Sequence, residues 1–376
     1  MVINTKSGFE ARTTNGKYAF KIGGRIQFDG NAFDGVINEK EGEDGSDVFF
    51  RRARLELEGK YEDWGYVMAY NLTESGSIDL LNTSYNGFGP LAVLTFGQQK
   101  ENFGLEDTGS SKWITAMERS MPTNTFDTTN TLGVKLSGST PLITYSIGGF
   151  KNSIDGDDNS LDSAFTGRFV VRPLHEETRL VHLGVGVTER DGTFTSLGAR
   201  LGVRGGESGS LVNRARSSYT GVAEADGLSA WNGELAASFG PYHLMAEYFD
   251  GDISGVGAAP DIEANGYYVQ AGWILTGESR TYKNDIAAFD KIKPSGMNGA
   301  WEVFFRYDTL DLSDNDGVAL IATPVGEDAD SMTFGVNWYA NSVVKVSLNY
   351  IHAETDAAIN GEDDGDAIAA RLQFAF

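Results

Sequence analysis

The sequence predicts an all-β protein, a 16-stranded antiparallel transmembrane β-barrel formed by residues 1–376 as a single domain. Segments of about ten residues alternate between apolar and polar side chains. Short and long connections alternate along the chain, and aromatic residues gather beside the short connections. This combination is typical of outer-membrane barrels, whose strands leave only a weak hydropathy signal.

The alternation is clearest in KYAFKIGGRIQFD (residues 17–29), where one face is apolar or small and the other is charged or small. The same division recurs in WEVFFRYD (residues 301–308) and in the last ten residues. We therefore predict strands near residues 17–29, 48–61, 64–74, 78–86, 91–98, 132–138, 142–150, 164–172, 180–190, 230–239, 242–251, 266–275, 299–309, 331–340, 343–353 and 367–376.

The connections differ in length on the two sides of the predicted barrel. Short turns are expected at residues 61–65, 87–90, 138–141, 239–241 and 339–342. Long loops are expected at residues 30–47, 99–131, 151–163, 191–229, 252–265, 310–330 and 354–366. Residues 276–298 break the rule, because this connection is long yet falls on the short-turn side.

A soluble β-sandwich or β-propeller is the main alternative fold, since the strands of a sandwich also alternate. Its polar face would point outward, however, and its aromatic residues would not cluster at strand ends. The aromatic residues that flank the predicted turns are Tyr61, Trp64, Tyr66, Tyr85, Phe88, Trp231, Tyr242, Trp301 and Tyr339. They favour interfacial girdles, and sixteen strands would enclose an aqueous channel.

The composition excludes several classes of site. The chain has no cysteine, which removes disulfides, thiol catalysis and cysteine metal ligands. His175, His182, His243 and His352 lack the spacing of a zinc site, and no GxSxG motif occurs. We expect no enzyme, no cofactor and, given the net charge of −23, no nucleic-acid partner.

Two acidic stretches, residues 154–160 and 360–367, have a composition similar to calcium loops. Neither has the twelve-residue ligand pattern, so we expect solvated loops and leave incidental calcium binding open. The N-terminus, MVINTKSGFE, has no apolar region of a signal peptide. For an exported protein, the chain would therefore be the mature form with an added Met.

Seven stretches distributed from end to end resemble one known family. They are FKIGGRIQFDG, FFRRARLEL, FGLEDTGSSKWITAMER, LTGESRTYK with FDKIKP, GAWEVFFRYD, GVNWYANSVVKVS and RLQFAF. Together they resemble the phosphate- and polyphosphate-selective porins of Gram-negative outer membranes, the porin O and P family. The resemblance implies a trimer of barrels in which the third loop (residues 99–131), the fifth loop (191–229) and the long periplasmic turn (276–298) fold inward. Phe376 resembles the terminal aromatic signal for barrel insertion.

The resemblance also implies which residues line the lumen. A central constriction corresponds here to Arg51 and Arg52 on the second strand, Ser110 and Arg119 on the third loop, and Asp79 on the fourth strand. An arginine ladder that leads inward from outside corresponds to Arg25, Arg200, Arg204 and Arg214. Arginine suits this role because its planar guanidinium stays charged and offers several donors to an oxyanion. We expect Asp79 to reduce the depth of the anion trap.

Four positions depart from the family pattern. Asp107 stands in the third loop where phosphate-selective members have a lysine, and Gly65 follows Asp63 and Trp64 of the first turn where they have another lysine. Ser196 and Gly198 stand where ladder arginines are expected. Replacing lysine by aspartate changes the charge by two units at a narrow site, which weakens the expectation of high phosphate selectivity.

Arg51 and Arg52 have opposite strand parity, so a regular strand would point one of them into lipid at a cost of roughly 2 to 4 kcal/mol. A β-bulge or a position high on the strand would let both face the lumen. We expect Arg54 to be a wall residue paired with Glu56 or Glu58.

Three functions remain open at this point. The first is an anion-selective porin for phosphate, pyrophosphate, polyphosphate or a related anion. The second is a general or cation-leaning diffusion pore, which the acidic net charge and Asp107 favour. The third is a non-transport barrel with a plugged lumen. The expected partners are the permeating anion, outer-membrane lipid, lipopolysaccharide and two further copies of the chain.

Overall fold

The protein forms a closed antiparallel barrel of sixteen strands, which confirms the predicted fold class. The computed structural model describes residues 1–5, 8–38, 44–73, 76–151, 161–205, 212–218, 225–256, 261–312, 321–322, 325–359 and 361–376. The barrel strands are β1 (Tyr18–Phe33), β2 (Gly45–Tyr61), β3 (Trp64–Asn71), β4 (Ser77–Tyr85), β5 (Val93–Lys100), β6 (Asn130–Ser139), β7 (Ile143–Lys151), β8 (Leu161–His175), β9 (Arg179–Gly192), β10 (Ala225–Phe239), β11 (Tyr242–Gly255), β12 (Ile262–Ile274), β13 (Ala300–Asp311), β14 (Ala329–Tyr339), β15 (Val344–Ile359) and β16 (Glu362–Ala375).

Each barrel strand pairs with its neighbours in sequence, and the last strand closes the sheet against the first. In that closing pair Ala367 lies opposite Phe33 and Ala375 lies opposite Arg25. The Phe376 and Gly24 backbones then exchange two hydrogen bonds of 2.9 and 3.1 Å. Closure leaves no unpaired barrel edge within the bilayer. Among the described residues, no helix is long and apolar enough to cross a membrane.

The strand faces are inverted relative to a soluble protein. On β14, Met332, Phe334 and Val336 point outward and are between 38 and 53% exposed. Thr333 and Asn337 point inward and are fully buried. Apolar side chains toward lipid and polar side chains toward the lumen are the arrangement expected of a transmembrane barrel.

Several strands run further toward the long-loop side than the sequence predicts. The expected loops at 252–265 and 354–366 are largely strand, because β11 ends at Gly255, β12 begins at Ile262, β15 ends at Ile359 and β16 begins at Glu362. The inward side chains of the β11 and β12 extensions include Ile253 and Ile262, which are fully buried, while Asp252 and Glu263 lie on the other face. The polar-inside, apolar-outside alternation of the membrane segments therefore does not continue into these extensions.

Smaller elements lie inside the barrel or at its ends. The third loop carries helices α1 (Leu105–Thr108) and α2 (Met121–Thr125), and a short 3₁₀ helix spans Gly35–Ile37. The additional short strands are Val2–Asn4, Phe9–Arg12, Ser196–Arg200, Arg214–Ser218, Arg280–Lys283, Ala288–Ile292 and Ile321–Ala322. Those at 280–283 and 288–292 form a hairpin within the long periplasmic turn.

The third loop, the fifth loop and the long turn pack against the inner wall. The third loop contributes Phe103, Met117 and Met121 to an apolar cluster with wall residues such as Phe249. On the turn, Phe289 packs with Ala236 and Met245 of the wall. These segments fill the side of the lumen bounded by β8 to β14 and leave the side bounded by β1 to β5 open.

Candidate functional site

The open side of the lumen is a polar cavity of about 750 Å³ between β1 to β5, the third loop and the periplasmic turn. Its basic side chains are Lys21, Arg25, Arg51, Arg52, Arg54, Lys100, Lys112, Arg119, Arg204, Lys283 and Lys291. Its acidic side chains are Glu56, Glu58, Asp79, Asp107, Glu118, Asp127 and Asp290. Eleven positive and seven negative side chains give a net charge of +4, inside a chain whose overall charge is −23.

A β-bulge on β2 brings Arg51 and Arg52 to the same side of the wall. Gln27 pairs with Arg52 and Phe28 pairs with Phe50, so Arg51 is the extra residue. Both arginines line the cavity, while Phe50 points outward and is 58% exposed. Arg51 and Arg52 would face opposite sides of a regular strand. The extra residue of the bulge lets both side chains face the lumen.

The two adjacent arginines differ in their partners. Arg51 makes a bidentate ion pair with Glu118, in which Nε and an NH group each lie 2.9 Å from a carboxylate oxygen. Arg52 donates to the Gln27 side-chain oxygen at 3.1 Å. Within the described residues, no carboxylate lies within ion-pair distance of Arg52. Since Gln27 is neutral, the Arg52 charge is not balanced by its own contact.

The third loop supplies Arg119 and Ser110 to the cavity. Arg119 pairs with Asp107 at 2.8 Å and with Asp127 at 3.3 Å. Asp107 also pairs with Lys100 at 3.2 Å. Burial acts to raise the pKa of Asp107, but Arg119 and Lys100 outweigh it and hold the pKa below its usual value. Asp107 therefore stays ionised and neutralises positive charge at a position where phosphate-selective members of the family are expected to carry a lysine.

Arg54 is a wall residue as predicted, but the prediction of its ion-pair partner is wrong. It pairs with Asp79 of β4 rather than with Glu56 or Glu58. Asp79 is oriented by a second contact, since it accepts a hydrogen bond of 3.1 Å from Asn130. The alternation places residues 54, 56 and 58 on one face but does not show that β4 lies closer to Arg54 than its own strand neighbours do.

Arg25 lies in the main cavity and not with the outer arginines. Its guanidinium donates to Ser111 at 2.6 Å and lies 3.3 Å from Glu56. Glu56 is shared with Lys112 at 2.6 Å. Lys112 thus balances Glu56, a partner that the sequence reading does not identify.

Arg200, Arg204 and Arg214 line a second cavity of about 80 Å³ on the fifth-loop side of Glu118. Arg204 and Glu118 line both cavities and lie 3.4 Å apart. Burial and the neighbouring arginines lower the pKa of Arg200 to about 10. Arg51 and burial do the same to Arg204, so both remain charged at neutral pH.

Sequence reasoning missed two kinds of residue. Lys283 and Lys291 line the cavity from the periplasmic turn, which the family resemblance predicts to fold inward without identifying these two side chains. Glu118 is a shared counter-ion of Arg51, Arg204 and Arg371, and its pKa lies well below the usual value. Burial acts to raise that pKa, and Arg51 and Arg371 more than offset it.

The acidic stretches give no support for a metal site. Residues 154–160 lie outside the described residues. Residues 361–367 are described, and Glu362 to Ala367 belong to β16. In the part of the chain that the structure describes, no group of three or more His, Asp or Glu side chains could hold a metal ion.

The family model for phosphate-selective porins O and P matches residues 20–376. Porin O of Pseudomonas aeruginosa is 38% identical over 408 residues, which cover 100% of this chain and 92% of that protein.

Solved outer-membrane proteins share the fold at low identity. The anion-selective porin of Comamonas acidovorans has a TM-score of 0.62 at 10% identity, and the match covers 96% of this chain and all of that one. The outer-membrane channel DcaP of Acinetobacter baumannii has a TM-score of 0.59 at 13% identity, with 97% and 99% coverage. OmpT of Vibrio cholerae, described as a trimer form, has a TM-score of 0.58 at 10% identity, with 96% and 99% coverage.

Proposed function

The chain belongs to the family of phosphate-selective porins O and P, and we propose that its lumen conducts phosphate or a related oxyanion selectively. The family and the barrel fold place the protein in the Gram-negative outer membrane. Its relatives are channels and not enzymes. We accordingly assign it no catalytic function and no nucleic-acid partner.

The observation that carries the proposal is the excess of four positive side chains on the cavity lining, with Arg52 unmatched by a carboxylate among the described residues. A phosphate ion that enters a narrow lumen loses water and needs charged donors in its place. Rings of arginine and lysine are the usual lining of anion pores. Arg52 can supply two parallel N–H donors without first giving up an ion pair.

The other predicted site residues act around Arg52. Arg200, Arg204 and Arg214 attract the anion from the outer side, and Arg51 and Arg119 face it at the constriction. Ser110 adds a hydroxyl, and Asp79 limits the depth of the site by neutralising Arg54. Arg25, Lys283 and Lys291 continue the positive lining toward the periplasmic turn. Binding stays weak and distributed, so that the ion can leave.

A weakly selective or cation-leaning pore is the second candidate. It is favoured by the ion pairs that neutralise most of the lining, above all Asp107 between Lys100 and Arg119. On this alternative, the lumen would pass small ions by size with little preference for phosphate. Among the oxyanions, pyrophosphate and polyphosphate remain candidates beside phosphate.

We infer that the barrel assembles as a homotrimer and contacts outer-membrane lipid and lipopolysaccharide. One structural relative is described as a trimer. Apolar outward side chains such as Phe334, 53% exposed, and Leu348, 50% exposed, supply the surface that lipid or a second copy would cover. Cross-linking in native membranes, followed by mass analysis, tests the assembly.

Planar-bilayer recording tests the function. In a potassium chloride gradient, the zero-current potential should show anion preference. Addition of phosphate to the chloride solution should block the current at low concentration, because phosphate occupies the arginine site for longer than chloride does. A zero-current potential of the opposite sign would reject an anion pore. Chloride current that is insensitive to phosphate would favour the weakly selective alternative.

A further inference from the structure

Three arginines in the lumen converge on one carboxylate of the chain itself, that of Glu118. Glu118 receives both donors of Arg51 at 2.9 Å. Arg371 donates to the same carboxylate at 2.6 Å, and Arg204 lies 3.4 Å from it. Glu118 lines both the main cavity and the outer one, so it stands at the boundary that the two cavities share.

The backbone around Glu118 is held by hydrogen bonds, and its side chain is held by ion pairs with Arg51, Arg204 and Arg371. The Met117 carbonyl accepts a hydrogen bond from Arg371, and the Glu118 carbonyl accepts one of 2.8 Å from Arg306. The Ser120 amide donates to Glu106 at 2.9 Å. These contacts hold the third loop on both sides of the residue. Any change of partner must therefore come from rotation of the Glu118 side chain.

The three arginines differ in whether they have a second carboxylate partner besides Glu118. Arg371 also holds Asp29 through two hydrogen bonds of 2.7 Å, and its side chain is only 4% exposed. Within the described residues, Glu118 is the one carboxylate at ion-pair distance from Arg51 and from Arg204. The Arg204 side chain is 37% exposed and faces the path. Glu118 can thus release Arg51 and Arg204 to an incoming anion while it remains paired with Arg371.

We propose that Glu118 is a tethered counter-anion that holds Arg51 and Arg204 when the pore is empty and exchanges them with the permeating oxyanion. This inference rests on the proposed function. A carboxylate presents two oxygens to a guanidinium in the way that two phosphate oxygens do. Because the tether keeps the carboxylate at high effective concentration, its return speeds the departure of the bound ion. Glu118 therefore sets the balance between affinity and flux.

Glu118→Gln tests the exchange, since the amide keeps the shape but loses the charge. The half-blocking phosphate concentration in chloride current should fall about tenfold relative to the unmodified porin. The phosphate current at saturation should fall as well, because the ion leaves more slowly. A half-blocking concentration that is unchanged or higher would overturn the proposal.

Asp127→Asn is the matched control, because Asp127 also lines both cavities but pairs with Arg119. It should shift the half-blocking concentration by less than threefold. An equal shift in the two variants would show that only lumen charge matters, which contradicts a tether.

If Glu118→Gln does not assemble in the membrane, Glu118→Asp tests the proposal instead. Its shorter side chain keeps the charge but weakens the hold on Arg51, so an intermediate shift is expected, and behaviour identical to that of the unmodified porin refutes the proposal.

The same recordings separate this inference from the proposed function. A missing phosphate block in the unmodified porin rejects phosphate selectivity itself. In that case, the chloride-to-potassium permeability ratio still tests the tether. The ratio should rise more in Glu118→Gln than in Asp127→Asn, and equal ratios would reject the tether.

Discussion

The open and filled sides of the lumen carry similar inward side chains but use them differently. On the filled side, Arg168 of β8 is buried and forms a bidentate pair with Glu234 at 2.7 Å. It also donates to the Ile286 and Ala287 carbonyls of the periplasmic turn. On the open side, Arg52 faces the cavity and contacts a neutral amide. Arg168 thus anchors the turn, whereas Arg52 keeps the guanidinium that the proposed function assigns to the permeating anion.

The largest effect is expected on the filled side. Arg168→Ala leaves Glu234 with His182 as its remaining ion-pair partner in the described chain. It also removes the two hydrogen bonds that Arg168 donates to carbonyls of the turn. Breaking a buried pair in this way costs about 3 to 5 kcal/mol. Urea unfolding in detergent should show that loss of stability, and the released turn should raise the conductance.

Arg168→Lys is the graded control for this prediction. Lysine keeps the charge but cannot reproduce both the bidentate pair and the two carbonyl contacts. Its loss of stability should fall between the unmodified porin and Arg168→Ala. Equal stability in all three proteins would show that the turn is not held by Arg168.

A smaller effect is expected at Asp107, which lies where the two sides meet. Asp107→Asn removes the carboxylate that balances Lys100 and Arg119 but keeps the side-chain shape. Both cations then act on the lumen, so the half-blocking phosphate concentration should fall threefold to tenfold. Opposite charges about 4 Å apart interact by roughly 4 kcal/mol at an effective dielectric of 20, and solvent reduces that value.

Asp290→Asn is the control for Asp107, because Asp290 lines the same cavity but pairs with Lys283 at 3.6 Å. It should change the phosphate block by less than twofold. The pKa of Asp107 is lowered, so its charge should persist as the pH falls from 8 to 5. The chloride preference of Asp107→Asn relative to the unmodified porin should stay constant over that range, and convergence near pH 5 would contradict this account.

The smallest effect is expected at the exposed end of the open wall. Lys21 and Glu58 lie 3.4 Å apart, and their side chains are 37% and 44% exposed. A pair in such contact with water contributes roughly 0.2 to 1 kcal/mol. Glu58→Gln should therefore leave urea unfolding nearly unchanged and shift the phosphate block by less than twofold. A larger shift would extend the binding region to this end.

The sequence predicts the barrel well because the bilayer imposes a strict period on every strand. The closing pair of β1 and β16 and the long periplasmic turn follow from that period and from loop lengths. The upper ends of strands such as β11 and β12 are not predictable from that period, because Ile253 and Ile262 point into the lumen while Asp252 and Glu263 point away from it. The alternation of the membrane segments does not continue there.

The candidate site was predictable in its residue types but not in its pairings. The opposite parity of Arg51 and Arg52 already suggested a bulge, and the register shift is found there. No pattern shows that Arg168 and Arg306 are covered by loops while Arg52 is not. Nor does spacing reveal that Glu118 meets Arg371 from the other end of the chain. Those facts depend on where long loops settle inside the barrel.

We expect Arg52, which has no carboxylate at ion-pair distance within the described residues, to contribute more to holding the permeating anion than a paired cation of the same cavity does. The most direct measurement compares phosphate block of chloride current in Arg52→Ala and Lys283→Ala, which remove one positive charge each from the same cavity. Arg52→Ala should raise the half-blocking phosphate concentration at least tenfold, and Lys283→Ala should change it less than twofold. Equal shifts, or block that survives in Arg52→Ala, would contradict the claim.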